Sequence, residues 1–238
     1  MRSSRLTLDT LGRASRALAR RDPVLRAVVT RHGAPPMWGR RAGFVTLVQI
    51  ILEQQVSLAS GRAAFGRLRR AAGEVTPPRI AALSARQLRA AGLTRQKAEY
   101  VRLLARSTVA GAFDPSRIAR LADDDARAAL VALKGIGPWS ADVYLLMALR
   151  RADIWPSGDL ALQIAARELL GLASNPSARE LDALGERWRP YRAVAARLLW
   201  HHYLNTSRNR IVRDRHSSNE RLRPARPSAR RAVMNGRA

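Results

Sequence analysis

Apolar residues recur at helical spacing along most of the chain, and no segment shows the sustained polar–apolar alternation of a half-buried strand. Residues 44–52 are apolar on nearly every side, which is typical of a central buried helix. From about Ser207 the apolar positions become sparse, and Arg, Ser, Asn and Pro dominate. The pattern predicts an all-α domain over residues 1–206, followed by a disordered basic tail over residues 207–238.

Capping signals mark several helix starts within this pattern. Asp22 followed by Pro23 suits an N-cap and a first helical position. Thr94 is expected to cap another helix, RQKAEYVRLLARS, with Leu103 and Leu104 facing inward. These signals place helix boundaries that the structure can test.

Two helical segments between residues 121 and 150 are joined by the short turn KGIGP, residues 134–138. Glycine can take the positive φ that so tight a turn requires, and Pro138 suits the first turn of a helix. The second helix would then begin with free N–H groups, which suit a phosphate. The segment predicts a helix-hairpin-helix clamp for a DNA backbone. A helix connection without a ligand is the alternative reading of Gly-x-Gly alone.

An acidic residue precedes the next helical segment, LALQIAARELL, within the sequence WPSGD. On its own, Asp159 would most often be an N-cap that accepts N–H bonds from the following turn. A carboxylate can cap a helix with one oxygen and face a substrate with the other. Both roles are therefore open to Asp159.

Composition narrows the function classes. The 238 residues include no cysteine, which excludes disulfides, thiol nucleophiles and cysteine-held zinc or iron–sulfur clusters. The four histidines show no metal-ligand spacing, so no metal site is expected. The net charge of +25 indicates a polyanionic partner, most simply nucleic acid, although an Arg- and Ala-rich composition alone would give part of it. Apolar runs too short for a membrane and no evident secretory signal predict a bacterial-type cytoplasmic protein, associated with the nucleoid through DNA.

Three separate motifs resemble the HhH-GPD superfamily of DNA glycosylases over roughly residues 20–204. The first is the hairpin with the loop 156–158 and Asp159, and the second is QQVS at residues 54–57, which resembles the alkylation-repair branch. The third is WRPYRAVAARLLWHHYL, which is similar to the AlkA-type ending. The resemblance implies the DNA-3-methyladenine glycosylase II family, in a compact form without the N-terminal β domain. It also implies two helical subdomains with the active-site cleft between them.

The resemblance assigns roles to particular residues of the cleft. It implies that Asp159 is catalytic and that Trp139, Trp200 and Tyr144 line the base pocket. At the position of the family's pocket tyrosine this chain has Val143, followed by Tyr144. Trp139 stands where bifunctional members carry a lysine nucleophile, so we expect hydrolysis by water without strand cleavage.

DNA contacts are implied at the hairpin, at the turn after the buried helix, and at the start of the Thr94-capped helix, where a solvated basic face is the alternative for Lys97. The residues are Gln54, Gln55, Lys134, Gly135, Gly137 and Lys97. Gln55, with Gln54 beside it, is the candidate to fill the gap left by a flipped base. Glu53 departs from the small residue usual in the family, which is unfavourable near DNA unless the carboxylate points inward. No cofactor is expected beyond a structural monovalent cation that the resemblance implies at the hairpin.

The resulting hypothesis is a monomeric, monofunctional glycosylase that acts on alkylated purines of the 3-methyladenine and 7-methylguanine type in double-stranded DNA. Such bases are electron-poor, which suits indole faces, and they leave readily without a strong general acid. Two alternatives stay open: a glycosylase for oxidised or deaminated bases, and a noncatalytic helix-hairpin-helix DNA-binding protein. A helical protein-interaction scaffold is a third reading that leaves the charge unexplained.

Overall fold

The computed structural model describes the backbone of residues 4–221 and the side chains of residues 4–206. The described part is helical apart from its loops, a 3₁₀ helix and one isolated bridge between Arg5 and Arg151, which confirms the all-α prediction. None of the described helices is both long enough and apolar enough to cross a membrane. The helices are α1 (Leu8–Arg21), α2 (Pro23–His32), α3 (Phe44–Glu53), α4 (Leu58–Ala72), α5 (Pro77–Ala82), α6 (Ala85–Ala90), α7 (Arg95–Val109), α8 (Pro115–Ile118), α9 (Asp123–Val131), α10 (Pro138–Met147), α11 (Leu160–Leu170), α12 (Ala178–Gly185), the 3₁₀ helix (Glu186–Trp188) and α13 (Arg192–Arg221).

The predicted caps are confirmed where the sequence signal was local. The Asp22 side chain accepts hydrogen bonds from the second and third residues of α2, which begins at Pro23. Thr94 caps α7 by accepting from the backbone N–H of Lys97. The inward pair on α7 is only half right, because Leu104 is buried whereas Leu103 is 38% exposed.

The core forms around α3, the helix that the sequence marked as apolar on all sides. Leu47, Val48, Ile50 and Ile51 have no exposed surface. Helices α4, α7 and α10 pack against α3. Because α3 is enclosed in this way, the turn at its end has a fixed place beside α7 and α10.

The first two helices contact the segment between α12 and α13. The indole Nε1 of Trp188 donates to Asp22 Oδ2 at 2.7 Å. The guanidinium of Arg21 donates to the carbonyl of Arg189 at 2.8 Å. Trp155, in the loop that leads into α11, packs edge to face against Trp188. The loop that carries Asp159 is therefore held against the 3₁₀ helix.

The hairpin lies within the predicted range 121–150, with α9 and α10 as its two helices. Gly135 has a φ of +92°, and a Cβ at this position would overlap the ring of Tyr100 on α7. Glycine is required there both for backbone conformation and for close approach. The turn is consequently held against α7.

The end of α13 belongs to a separate unit of the chain. Residues up to Tyr203 form one unit, and the chain from Leu204 forms a second. The backbone of α13 continues to Arg221, so it includes residues 207–221 of the segment predicted as a disordered tail. Residues 222–238 lie outside the described residues, and the domain boundary at residue 206 stays a prediction.

Candidate active site

Asp159 ends a tight turn and caps α11. Its backbone N–H donates to the carbonyl of Pro156 at 2.9 Å, which closes the turn. Its Oδ1 accepts the backbone N–H of Leu162 at 3.0 Å. The capping role expected from the sequence is therefore present, and it fixes the direction of the carboxylate.

Two tryptophans donate to the same carboxylate. Trp139, in the first turn of α10, donates from Nε1 to Asp159 Oδ2 at 2.8 Å. Trp200, on α13, donates from Nε1 to Asp159 Oδ1 at 3.0 Å. The structure thus brings together the predicted catalytic residue and two of the three predicted pocket residues. It adds a contact that the sequence did not indicate, the indole N–H bonds.

The carboxylate keeps acceptor capacity on one oxygen. An ionised carboxylate oxygen has two lone pairs. Oδ1 of Asp159 already accepts from Leu162 and Trp200, whereas Oδ2 accepts only from Trp139. A further hydrogen bond, to a water or a sugar, therefore falls to Oδ2.

A second aspartate, Asp22, also caps a helix and accepts an indole N–H, but it is buried. Asp22 caps α2 and accepts the indole N–H of Trp188, but it is 6% exposed and lies 3.2 Å from the guanidinium of Arg187. Asp159 is half-buried, and within the described side chains no cationic group lies within ion-pair distance of it. In a chain of charge +25 this carboxylate is held by neutral donors alone. Its negative charge is therefore still available to a cationic group.

Tyr144 does not share this opening, which corrects its place in the predicted pocket. The residue has no exposed surface, its hydroxyl accepts the backbone N–H of Gly43 at 3.0 Å, and burial raises its pKa. Five residues along α10 correspond to a rotation of about 140°. Trp139 can therefore reach Asp159 while Tyr144 points into the core.

The two glutamines after α3 have different surroundings. Gln54 donates from Nε2 to the carbonyl of Gly135 at 2.8 Å and to Ser140 Oγ at 2.9 Å, which ties the turn to the hairpin. Gln55 is exposed, has a φ of +55°, and forms no side-chain hydrogen bond with another described residue. Val56 and Leu58 beside it are 45% and 54% exposed. Of the two glutamines, only Gln55 has a side chain that can enter a duplex without breaking internal bonds.

Lys97 also stabilises the turn after α3, through hydrogen bonds to its backbone. Its Nζ donates to the carbonyls of Leu52 and Gln54, both at 2.8 Å, and burial lowers its pKa. These carbonyls belong to the C-terminal end of α3, where an ammonium group is favourable. The structure therefore places Lys97 as a support for the turn, and its contact with DNA stays a prediction.

Two further charged residues near the turn have internal partners. Glu53 points inward, forms a 2.7 Å ion pair with Arg40, and is 11% exposed in its side chain. It therefore does not present a carboxylate where DNA would approach. Lys134, in the hairpin turn, is 64% exposed and pairs with Glu99 at 2.7 Å, which raises the pKa of Lys134.

The start of α10 lacks a side-chain cap. Gly137 is its N-cap, Pro138 follows, and no described side chain accepts from the first turn. The N–H groups of this turn are therefore available for an anion. The monovalent cation implied at the hairpin stays a prediction; backbone carbonyls would have to bind it, and that of Gly135 already accepts from Gln54.

The comparison with protein families decides the identity of this constellation. The model of the HhH-GPD superfamily, base excision DNA repair proteins, matches residues 48–190, which include the QQ turn, the hairpin and Asp159. The chain belongs to this superfamily. The HhH-GPD resemblance predicted from the three motifs is thereby confirmed.

Individual HhH-GPD relatives agree with this. The putative DNA-3-methyladenine glycosylase YfjP of Bacillus subtilis is 28% identical over 184 residues, or 74% of this chain and 64% of that protein. The probable bifunctional transcriptional activator/DNA repair enzyme AlkA of Mycobacterium tuberculosis is 35% identical over 75% of this chain and 37% of its own length. This chain thus spans less than two thirds of either relative. A solved structure of the Schizosaccharomyces pombe 3-methyladenine DNA glycosylase Mag1 with abasic DNA superposes with a TM-score of 0.73 at 25% identity, over 79% of this chain and 95% of that one.

The sequence did not indicate one buried pair within the HhH-GPD hairpin. Asp142 on α10 is 3% exposed and accepts from Arg127 on α9 at 2.7 Å. Burial raises its pKa to about 6 in spite of the guanidinium. An acidic residue in an otherwise apolar stretch of α10 was the available signal. This pair fastens the two hairpin helices to each other.

Proposed function

We propose that this protein is a monofunctional DNA glycosylase that hydrolyses the N-glycosidic bond of alkylated purines, of the 3-methyladenine and 7-methylguanine type, in duplex DNA. The observation that carries the proposal is the half-buried carboxylate of Asp159, fixed by Trp139, Trp200 and the start of α11 beside the hairpin. Relatives named as 3-methyladenine glycosylases share the family. Their names support the class of lesion.

The reaction follows from the acceptor left on Asp159 Oδ2. The base leaves the stack, which costs less for a damaged nucleotide. As the bond from C1′ to the purine nitrogen breaks, its electron pair neutralises the cationic alkylated base. The positive charge that develops on the sugar is stabilised by the carboxylate. A water bonds to C1′ and gives its proton to Oδ2, which leaves an abasic site and a free base.

The neutral donors around Asp159 suit this role. An adjacent guanidinium would already neutralise the carboxylate, as Arg187 does at Asp22. Indole N–H groups fix the orientation without adding positive charge. The negative charge of Asp159 then acts on the sugar. It interacts most strongly in the transition state, when positive charge develops on the sugar.

Hydrolysis without strand cleavage is supported by the state of the lysines. The chain has two, and a Schiff-base mechanism would need an amine near the sugar. The Lys97 amine donates to two carbonyls, and that of Lys134 pairs with Glu99. At the position where a nucleophilic lysine follows the hairpin in bifunctional members, Trp139 binds Asp159 instead.

DNA is engaged by two elements in this proposal. The uncapped start of α10, at Gly137, receives a backbone phosphate. Gln55 inserts into the duplex, supported by its exposure and by the bonds that hold Gln54 in the turn beneath it. The partner is thus double-stranded DNA that contains an alkylated base.

A lesion panel tests the proposal. Duplexes carrying 3-methyladenine, 7-methylguanine, an oxidised purine or uracil are incubated with excess protein, and half of each sample is treated with hot alkali. We expect strand breaks at the alkylated purines only, and only after alkali. Breaks without alkali would contradict the monofunctional mechanism. Release confined to the oxidised or deaminated bases would contradict the lesion class.

A further inference from the structure

A basic groove lies between α6 and α7, separate from the residues around Asp159. Its volume is about 410 Å³. Its walls carry four arginines and one glutamate, and its floor is formed by small apolar side chains together with Leu103. The charged residues are Arg89, Arg95, Arg102, Arg106 and Glu99. We call this feature the arginine groove.

The guanidinium groups of the arginine groove are not paired at close range, and Arg95 acts on Glu99 only through a longer-range electrostatic interaction. Among the described residues, none of the four forms an ion pair or a side-chain hydrogen bond. The Nε of Arg102 is buried without an acceptor. Some arginines elsewhere are paired, as Arg192 is with Asp153 and Glu186. Others, such as Arg16 and Arg20 on α1, also form no ion pair with a described residue, so it is the gathering of four such groups in one cavity that sets the groove apart. Four like charges gathered in one groove repel each other, and an anion placed there would relieve that repulsion.

The one acidic residue of the groove does not neutralise it. Glu99 forms its ion pair with Lys134 of the hairpin turn at 2.7 Å. The carboxylate is thus engaged by a fifth cation and connects the arginine groove to the hairpin. An anionic chain that lies on the hairpin can continue onto this surface.

The arginines on α7 form a line. Arg95, Arg102 and Arg106 stand seven and eleven residues apart from the first, which places them on one face of the helix. At 1.5 Å per residue the line is about 16 Å long. One strand of a duplex presents about five phosphates over that length. The spacing suits successive contacts to one DNA strand.

We infer that the arginine groove binds the phosphodiester backbone of the duplex beside the lesion, as a contact additional to the hairpin. Its ligand class is the phosphodiester, read without sequence preference. The inference rests on the proposed function, because it takes DNA as the polyanion. Leu103, which is exposed, lines the groove together with the arginines.

The test compares two triple variants that remove the same charge. The groove variant carries Arg89→Gln, Arg95→Gln and Arg106→Gln, three exposed positions whose loss should leave the fold intact. The control carries Arg13→Gln, Arg16→Gln and Arg20→Gln, on the exposed side of α1. Binding of an undamaged duplex is measured by fluorescence anisotropy over a series of salt concentrations.

We expect the groove variant to lose about two to three units of the slope of log K against log salt, and its Kd to rise about tenfold or more. The α1 control should lose less than about one unit. A third variant, with lysine at the three groove positions, should keep most of the slope. Equal slopes for the groove variant and the α1 control would overturn the inference.

Two further measurements, base release and polyglutamate binding, distinguish failure of this inference from failure of the proposed function and from binding of an acidic protein segment. Single-turnover base release at saturating protein should be unchanged in the groove variant, because its arginines lie outside the residues around Asp159. If wild type releases no base but the groove variant still loses slope, the proposed function fails and the inference stands. If the groove variant loses binding of polyglutamate but keeps its DNA slope, the groove serves an acidic protein segment and the inference is overturned.

Discussion

At the scale of single residues, the site depends on how two indoles are oriented. Trp139 and Trp200 were expected to present their faces to a base. The structure shows their N–H edges bound to opposite oxygens of Asp159. The same indole can hold the carboxylate and stack on a base, because the ring whose N–H edge binds Asp159 also has a face next to that carboxylate. Orientation of this kind depends on three elements meeting, and no local sequence signal carries it.

Replacing either tryptophan by phenylalanine removes the N–H bond and keeps an aromatic face. A hydrogen bond to a charged group contributes about 1.5–3 kcal/mol. We therefore expect Trp139→Phe and Trp200→Phe each to slow single-turnover base release about 10- to 100-fold, with lesion binding little changed.

Trp188→Phe is the matched control, because it removes the same bond from Asp22. It should lower the melting temperature and leave the rate per folded molecule unchanged. If Trp139→Phe and Trp200→Phe lower only lesion affinity and leave the single-turnover rate unaltered, the two tryptophans act by stacking alone and do not position Asp159.

At the scale of elements, α7 holds in place the two turns that are proposed to contact DNA. Lys97 binds the carbonyls at the end of α3, and Tyr100 packs on Gly135 of the hairpin. Gln54 then joins the α3 turn to the hairpin directly. The three elements form one support, from which Gln55 and the start of α10 protrude.

Alanine substitutions at the two glycines of the hairpin should have different effects, one on stability and the other on DNA binding. In Gly135→Ala the new Cβ meets Tyr100 at a φ of +92°, so a loss of about 1–3 kcal/mol in the free energy of unfolding is expected. Gly137 has a φ of −86° and open space around a Cβ, so Gly137→Ala should cost at most about 1 kcal/mol. That methyl group lies where a phosphate would approach, and duplex affinity should fall several-fold. Unchanged affinity in Gly137→Ala, measured by anisotropy beside its melting temperature, would contradict a phosphate site at the hairpin.

The buried pair in the hairpin predicts a pH dependence of stability. The folded pKa of Asp142 is raised to about 6, above the ordinary value of 3.8. Between these values the folded state binds more protons than the unfolded state, so the free energy of unfolding falls as pH rises from about 4 to about 6. The change amounts to about 3 kcal/mol at most.

Urea unfolding of wild type and Asp142→Asn at several pH values measures this effect. Wild type should lose stability relative to the variant as pH rises through 6, because the variant has no carboxyl to ionise. A relative gain of wild-type stability over that range would mean that Arg127 outweighs burial at this site.

At the scale of the whole molecule, the sequence predicted features that depend on neighbouring residues better than features that depend on contacts between distant segments. The caps at Asp22, Thr94 and Asp159 were predictable because each involves residues within three positions. The all-α class followed from helical periodicity, and the family from three motifs in order. The surroundings of Lys97 and Tyr144 were not predictable, because they are set by segments that lie far away in sequence.

Composition also does not show where the positive charge lies in the structure. A charge of +25 indicates a polyanionic partner but gives no location. In the structure many arginines are used internally, as Arg197 is: it has no exposed surface, donates to three backbone carbonyls, and has a pKa lowered by burial to about 10. The arginine groove brings four guanidinium groups that form no ion pair with a described residue into one cavity. This convergence of charge is what the composition does not show.

Single-turnover base release from methylated duplex DNA, by wild type and Asp159→Asn, tests whether the carboxylate of Asp159 performs the chemistry. Asparagine keeps the size of the side chain and one oxygen that can accept from Leu162 and Trp200, and it loses the bond from Trp139. The fold and duplex binding should persist. We expect the release rate to fall about 100- to 1,000-fold or more in Asp159→Asn. A rate within a few-fold of wild type, at equal duplex binding, would show that the carboxylate does not perform the chemistry.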